Sequence, residues 1–301
     1  MKASGFHYAR PSSVEEACAL LAEYGGDARI LAGGQSMFAT LNLRLSAPAL
    51  LIDINRIESL KGIVVAEDGS YVRIGALVRH AETAASIEVA RHLPLIAMAM
   101  RHVAHPAVRN RGTTCGSLAL ADPSAEMPAC AVTLDALLIL QSRDGGVRQV
   151  PAVDYFFGLY ETARRDDEML VEVLYPSCLE DEVCGFDELS RRHGDFAMVG
   201  VAARASFNEG VISNLRLTTF ATDPRPILSE AAAALAEGQA WSEALGEAVA
   251  EAAVAELNPD ENHFGSPAVK RLQARAMIRR VLSSTFNVPR QPAATIGVTH
   301  G

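Results

Sequence analysis

Arg29-Ile30-Leu31-Ala32-Gly33-Gly34-Gln35-Ser36-Met37 is the stretch from which this chain can be read. Ala28 to Ala32 is a short apolar run with too little alternation for a surface strand, and it predicts a buried one. From Ser36 onward, Met37, Phe38, Leu41 and Leu45 recur with helical spacing. Gly33 and Gly34 therefore fall at a strand-to-helix turn. Glycine there admits positive φ and leaves no Cβ in the way of a ligand. The free N–H groups of such a turn and of the helix start attract an anion such as a pyrophosphate. A Gly-Gly pair alone is equally a plain turn, so its meaning depends on the rest of the chain.

Upstream, Ser13-Val14-Glu15-Glu16 has capping-box spacing, and Val14, Ala17, Leu20 and Leu21 carry a helix to Gly25-Gly26. Downstream, Ala49 to Ile54 predicts another strand. Ile63–Ala66 and Tyr71–Gly75 then flank the turn Glu67-Asp68-Gly69-Ser70 as an antiparallel hairpin, which marks a second subdomain. Helices are expected over Arg79–Ala85 and Leu93–Val103, the latter with Pro94 in its first turn. His102 and His105 lack an evident third ligand, so they read as helix-end histidines bonding nearby carbonyls.

The second informative stretch is Pro106 to Leu118, read as a long polar loop too rich in Gly and Thr for a helix. Within it Thr113, Thr114 and Ser117 offer hydroxyls, Gly112 and Gly116 offer close backbone approach, and Arg109 and Arg111 offer positive charge. Asp122 or Ser124 is expected to cap a helix running toward Val132. Strands follow at Asp135–Gln141 and Val147–Val150, and the stretch from Asp167 through Val173 reads as a turn feeding one more strand that stops at Pro176. A charged linker at Glu180-Asp181-Glu182 leads to a three-stranded meander and two Ala-rich helical stretches, Ser229–Leu257 and Ser266–Leu282.

The 301 residues are 49% hydrophobic, enough for two modest domains or one large one. A net charge of -9 without a basic cluster argues against nucleic acid and anionic membrane as partners. With neither an apolar run of membrane length nor an N-terminal signal core, a cytoplasmic location is expected. Five cysteines (Cys18, Cys115, Cys130, Cys178, Cys184) include no C-x-x-C pair, which leaves zinc, iron–sulfur and disulfide frameworks unsupported and makes most of them small core residues. No G-x-G-x-x-G follows the first strands, which disfavours a Rossmann NAD enzyme.

Taken in order, Ala32-Gly33-Gly34-Gln35-Ser36, Leu41-Asn42-Leu43-Arg44, Asp53-Ile54-Asn55, Ile74-Gly75-Ala76, His105-Pro106 with Arg109 to Thr113, Ala121-Asp122-Pro123 with Glu126, and Ser190 to Phe196 resemble the FAD-binding medium subunit of the molybdenum hydroxylases. The resemblance spans nearly the whole chain. It implies an α+β fold: a PCMH-type (vanillyl-alcohol-oxidase-like) FAD-binding domain over 1–177, with subdomains of about 1–58 and 59–177. A C-terminal domain over 178–285, a small antiparallel sheet with helices, and a tail over 286–301 complete it. It implies FAD held by Leu31, Ala32, Gly33, Gly34, Gln35, Ser36 and Met37 and by Thr113, Thr114, Cys115, Gly116 and Ser117 at the pyrophosphate. Asp122 and Glu126 match positions near the ribose or adenosine, and Leu170 and Phe196 positions near the flavin. Gln35 cannot form a histidyl-flavin link, so non-covalent binding is expected.

The resemblance further implies a heterotrimer. A large partner subunit would carry the molybdenum pterin and a small one two iron–sulfur clusters, with this chain taking electrons onto FAD. The alternative is a stand-alone FAD-dependent oxidase or dehydrogenase, which needs a substrate pocket that the residues after Pro176 hardly have room to build. One departure stands out: relatives usually read Thr-Ile-Gly-Gly where this chain has Thr113-Thr114-Cys115-Gly116, setting a thiol where a glycine is expected beside phosphate.

Overall fold

The structure is a computed structural model that describes residues 2–262 and 264–287. Its N-terminal part runs β1 (His7–Ala9), α1 (Val14–Tyr24), β2 (Ala28–Leu31), α2 (Gln35–Asn42) and β3 (Leu50–Asp53), with the strands parallel in the order β1-β3-β2. Ser13 caps α1 by accepting from the Glu16 N–H, while the Glu16 carboxylate reaches back one residue further than a capping box requires, to the Ser12 N–H.

Next come β4 (Ile63–Val65) and β5 (Tyr71–Gly75), then helices α3 (His80–Ala85), α4 (Ile87–His92), α5 (Pro94–Ala99), α6 (Pro106–Arg109), α7 (Thr114–Leu120) and α8 (Glu126–Thr133). The strands β6 (Leu137–Ser142) and β7 (Gly146–Pro151), the small pair β8 (Phe156–Gly158) and β9 (Glu161–Thr162), and β10 (Glu168–Pro176) follow. These build an antiparallel sheet in the order β4-β5-β10-β6-β7, so the last strand is inserted at the centre. A single apolar core joins it to the first sheet: Val14, Ala17 and Leu21 of α1 are buried in one cluster with Leu138 and Val173.

The third sheet has the order β11 (Glu182–Leu189), β12 (Val199–Asn208), β13 (Val211–Phe220) and β14 (Ile227–Leu228), all antiparallel. Helices α9 (Glu230–Ala236), α10 (Glu243–Ala255) and α11 (Pro267–Phe286) cover it around a second core, with the short strand β15 (Gln239–Ala240) pairing to β13. Among the described residues no helix is long and apolar enough to cross a membrane.

Several expectations are corrected. Pro106 to Leu118 is not a loop but two short helices. Pro106 starts α6 at its first turn, and Thr113 caps α7 by accepting from the Gly116 N–H, so hydroxyl and glycine act as helix-start signals here. Neither Asp122 nor Ser124 caps α8; Ala125 holds that position and Asp122 accepts from the Ser124 N–H instead. Glu182, read as linker, opens β11 and is ion-paired with Arg204 at 2.6 Å. The Ala-rich stretch from Ser229 is broken at Gly238, whose φ is +69°. Phe286, placed in the tail, is buried in the second core against Phe207 and Trp241. His102 faces Glu188 at 3.7 Å rather than a helix-end carbonyl. Asn287 accepts from the Trp241 indole N–H at 2.8 Å, and residues 288–301 of the expected tail lie outside the described residues.

Candidate flavin site

The turn at Gly33-Gly34 joins β2 directly to α2. Gly34 is the N-cap of α2 with φ +74° and ψ 0°, a left-handed conformation that glycine adopts without a Cβ penalty. No side chain caps this helix, so the first-turn N–H groups of Gln35, Ser36 and Met37 are left facing outward; Gln35 and Ser36 are exposed and Met37 half-buried. An uncapped helix start of this kind holds anions.

The two informative stretches meet in space. A Cβ on Gly33 would stand 2.4 Å from the Arg111 carbonyl oxygen and 2.8 Å from Gly112 Cα, so the first turn lies backbone-to-backbone on the entry to α7. A polar network holds this contact. Asn55 donates to the carbonyls of Leu31 and Ala32, at 3.4 and 2.9 Å, and to Asp53 at 2.6 Å. Arg79 donates to Asn55 Oδ1 and to the Arg111 carbonyl, each at 2.6 Å. Burial and the neighbouring Arg111 charge lower the Arg79 pKa. Gly112 lies on the His80 ring, where a Cβ would be 2.9 Å from Cδ2. Burial, with Arg109 adding to it, pushes the His80 pKa down to about 4, so the ring is neutral at pH 7. A cavity of about 280 Å³ opens beside the turn, walled by Tyr8, Phe38, Asp53, Asn55 and Arg111.

At the start of α7 the side chains turn inward. Thr114 is fully buried, its hydroxyl 3.0 Å from that of Thr83. Cys115 is buried with Sγ 3.5 Å from the Ile74 carbonyl, so its thiol occupies the core rather than the backbone face that a glycine would have opened. Gly116 is needed for the cap itself, since a Cβ there would fall 2.5 Å from Thr113 Oγ1. Ser117 is half-buried.

Asp122 and Glu126 lie beyond the other end of α7, whose seven residues span roughly 10 Å from its capped start. Asp122 accepts from Tyr160 Oη at 3.2 Å. Glu126 is buried, with its own backbone N–H as hydrogen-bond partner and Glu188 and Asp122 nearby. Burial first, then the Glu188 charge, pushes its carboxyl up to about 8. Leu170 is buried in the main core opposite Leu140 on β6, at the edge of a β-bulge. Phe196 is 64% exposed on the segment between β11 and β12, where Gly194 presses on His105. The structure thus unites Leu31–Met37 with Arg111–Ser117 and leaves Asp122, Glu126, Leu170 and Phe196 as separate positions around them. Asn55, Arg79 and His80 were missed as site residues, although Asp53-Ile54-Asn55 was among the motifs of the resemblance.

The residues fit a dinucleotide cofactor on two observations. The uncapped start of α2 borders the cavity of about 280 Å³, and Glu126 is a buried carboxyl whose hydrogen-bond partner among the described residues is its own backbone, leaving it open to a ligand hydroxyl. A larger cavity, about 490 Å³, between Ala152–Phe156 and Arg225–Glu230 includes none of these residues.

Comparison with known proteins agrees in both halves. Residues 4–178 match the FAD binding domain in molybdopterin dehydrogenase, and residues 185–285 match the CO dehydrogenase flavoprotein C-terminal domain. The chain is 37% identical to the 6-hydroxypseudooxynicotine dehydrogenase complex subunit alpha of Paenarthrobacter nicotinovorans, covering 95% of this chain and 96% of that one. It is 35% identical to the carbon monoxide dehydrogenase medium chain of Hydrogenophaga pseudoflava, over 93% and 97% of the two chains. Among solved structures, carbon monoxide dehydrogenase from that organism superposes with a TM-score of 0.91 at 37% identity, covering 95% of this chain and 98% of that one. Quinoline 2-oxidoreductase from Pseudomonas putida 86 does so with 0.89 at 36%, at the same coverage. With both matches covering most of its length, this chain belongs to the FAD-binding medium subunits of the molybdenum hydroxylases.

Proposed function

We propose that this chain is the FAD-carrying electron-transfer subunit of a molybdenum-containing hydroxylase or dehydrogenase complex of the cytoplasm. It receives electrons from iron–sulfur clusters on a small partner subunit and passes them to an external acceptor, while a large molybdenum-pterin subunit hydroxylates the substrate. The observation that carries the reading is the contact of Gly33 with Arg111–Gly112 beside the uncapped start of α2. In this proposal the N–H groups of Gln35, Ser36 and Met37 hold the pyrophosphate, and the backbone from Thr113 to Ser117 closes over it. Asp122 and Glu126 take the ribose or adenosine, and Leu170 and Phe196 adjoin the ring. The spread of these residues along α7 suits an extended dinucleotide better than a lone phosphate. Flavin, when bound, exchanges electrons singly with iron–sulfur centres and in pairs with other acceptors.

The chain's own contribution is binding and orientation. Asn55 and Arg79 keep the two backbone stretches in register, and the exposed segment carrying Phe196 offers a face to a partner. Purified protein is expected to be yellow, with one FAD per chain released into the supernatant by acid precipitation. It should co-purify from its native cell with an iron–sulfur subunit and a molybdenum subunit. Colourless protein refutes the cofactor, colour kept in the pellet refutes non-covalent binding, and an isolated chain that oxidises the organic substrate at the rate of the complex refutes the division of labour.

A further inference from the structure

We propose that Cys178 and Cys184 form a peroxide-sensitive dithiol, closing to a disulfide across the passage from the FAD-binding part of the chain into the C-terminal sheet. Their Sγ atoms are 4.0 Å apart, although neither a C-x-x-C spacing nor any sequence pattern marks them as a pair. The turn between them makes the meeting. The Glu182 N–H donates to the Leu179 carbonyl at 3.1 Å, and the Leu179 N–H donates to the Glu182 carboxylate at 2.8 Å. Both ends are anchored as well. The Cys178 N–H donates to the His92 carbonyl at 2.8 Å, and Cys184 sits within β11 opposite Arg204. Closing the bond to about 2.05 Å asks the sulfurs to travel roughly 2 Å, which side-chain rotation divides between two residues.

The pair also differs chemically from the other cysteines. Cys18, Cys115 and Cys130 are buried, and burial raises the pKa of each thiol. Cys178 and Cys184 are half-buried, next to exposed Leu179 and Glu180. The hydrogen bond from the Cys184 thiol holds Cys178 below the usual thiol range against burial and the neighbouring Glu182 charge, with a smaller contribution from Arg204, and in the proposal Cys178 acts as the nucleophile.

In the first step the Cys178 thiolate attacks one oxygen of hydrogen peroxide. The O–O bond breaks, and the departing hydroxide takes up a proton as water, leaving a sulfenic acid on Cys178. In the second, the Cys184 sulfur attacks the Cys178 sulfur, and the displaced hydroxyl leaves with the Cys184 proton as a second water. Two thiols and one peroxide thus become one disulfide and two waters. The cross-link ties the end of β10 to β11, and a reducing dithiol reopens it by exchange.

The test uses the purified full-length chain with its cofactor. It is treated with hydrogen peroxide, denatured, and alkylated with iodoacetamide. Of the five cysteines, the three buried ones should be the only ones alkylated, and peptide mapping should join Cys178 to Cys184. Dithiothreitol should restore all five. In Cys184→Ser, peroxide should leave Cys178 as a sulfenic acid trapped by dimedone. Retention of five free thiols after peroxide, a disulfide involving a buried cysteine, or conversion of Cys178 to sulfinic acid with Cys184 still free would each overturn the proposal.

Discussion

Replacing Gly33 with alanine isolates the contact on which the proposed flavin site depends. Gly33 does not lie in the left-handed region, so alanine is conformationally permitted there and the new methyl group acts through space alone. That methyl would sit 2.4 Å from the Arg111 carbonyl oxygen, 2.8 Å from Gly112 Cα and 3.0 Å from the Arg111 carbonyl carbon. Carbon atoms in contact rest at about 3.5–4.0 Å, so the two stretches must part by roughly 1 Å. All three obstacles are backbone, and Gly112 is itself backed by the His80 ring, so neither side yields by a rotamer change. Such overpacking costs about 1–3 kcal/mol. Charged entirely to the bound state, this is about a 5- to 150-fold weaker FAD dissociation constant. Any part borne by the free protein appears instead as a lower Tm. Gly34→Ala is the comparison: its φ of +74° costs alanine about 1 kcal/mol, and its methyl meets side chains and no backbone, the Phe38 ring, which is 43% exposed and can swing away, and Leu31 Cδ1 at 3.1 Å. FAD titration followed by flavin fluorescence, together with apo-protein melting, reads both terms. If Gly33→Ala binds FAD within twofold of wild type and melts unchanged, the backbone-to-backbone contact is not part of the site.

Asn55→Ala removes four donated or accepted bonds that join Leu31, Ala32 and Asp53 to Arg79, and should weaken FAD binding by about tenfold at about 1 kcal/mol or more of net loss; unchanged titration would remove it from the site. Glu126 has a folded pKa of about 8 against an ordinary 4.5, so the folded apo protein holds a proton that the unfolded chain releases. Its contribution is complete below pH 4.5 and falls by about 1.4 kcal/mol per pH unit as pH rises toward 8. Glu126→Gln should flatten that slope in urea unfolding of the apo protein, and an identical slope would refute the assignment. Cys115→Ala should lower Tm, at about 1–2 kcal/mol for a small buried side chain, while leaving FAD affinity within twofold. A large change in affinity would mean that the thiol lies at the phosphates after all.

Much of this was legible locally. β2, the turn at Gly33-Gly34 and α2 were readable because apolar run, glycine and helical stripe follow one another within a few residues. The same holds for the hairpin of β4 and β5, whose turn residues lie between two β-rich segments. Pro106 to Leu118 was misread because Gly and Thr speak for a loop by propensity, while here Thr113 is a cap and Gly116 the residue that makes room for it. The third sheet's strands were found by their alternation, yet Glu182 was lost to a linker because its partner, Arg204, is 22 residues away.

The sequence alone determined that two glycine- and hydroxyl-rich stretches existed, that their order with the other motifs resembled a medium flavoprotein subunit, and that iron-binding cysteine clusters were absent. Tertiary structure decided what touches what. It laid Gly33 on Arg111–Gly112, recruited Asn55 and Arg79 between them, turned Cys115 into the core and brought Cys178 within reach of Cys184. The physical reason is that propensity and periodicity report each residue's neighbours along the chain, whereas a close backbone approach or a thiol pair depends on how distant elements pack.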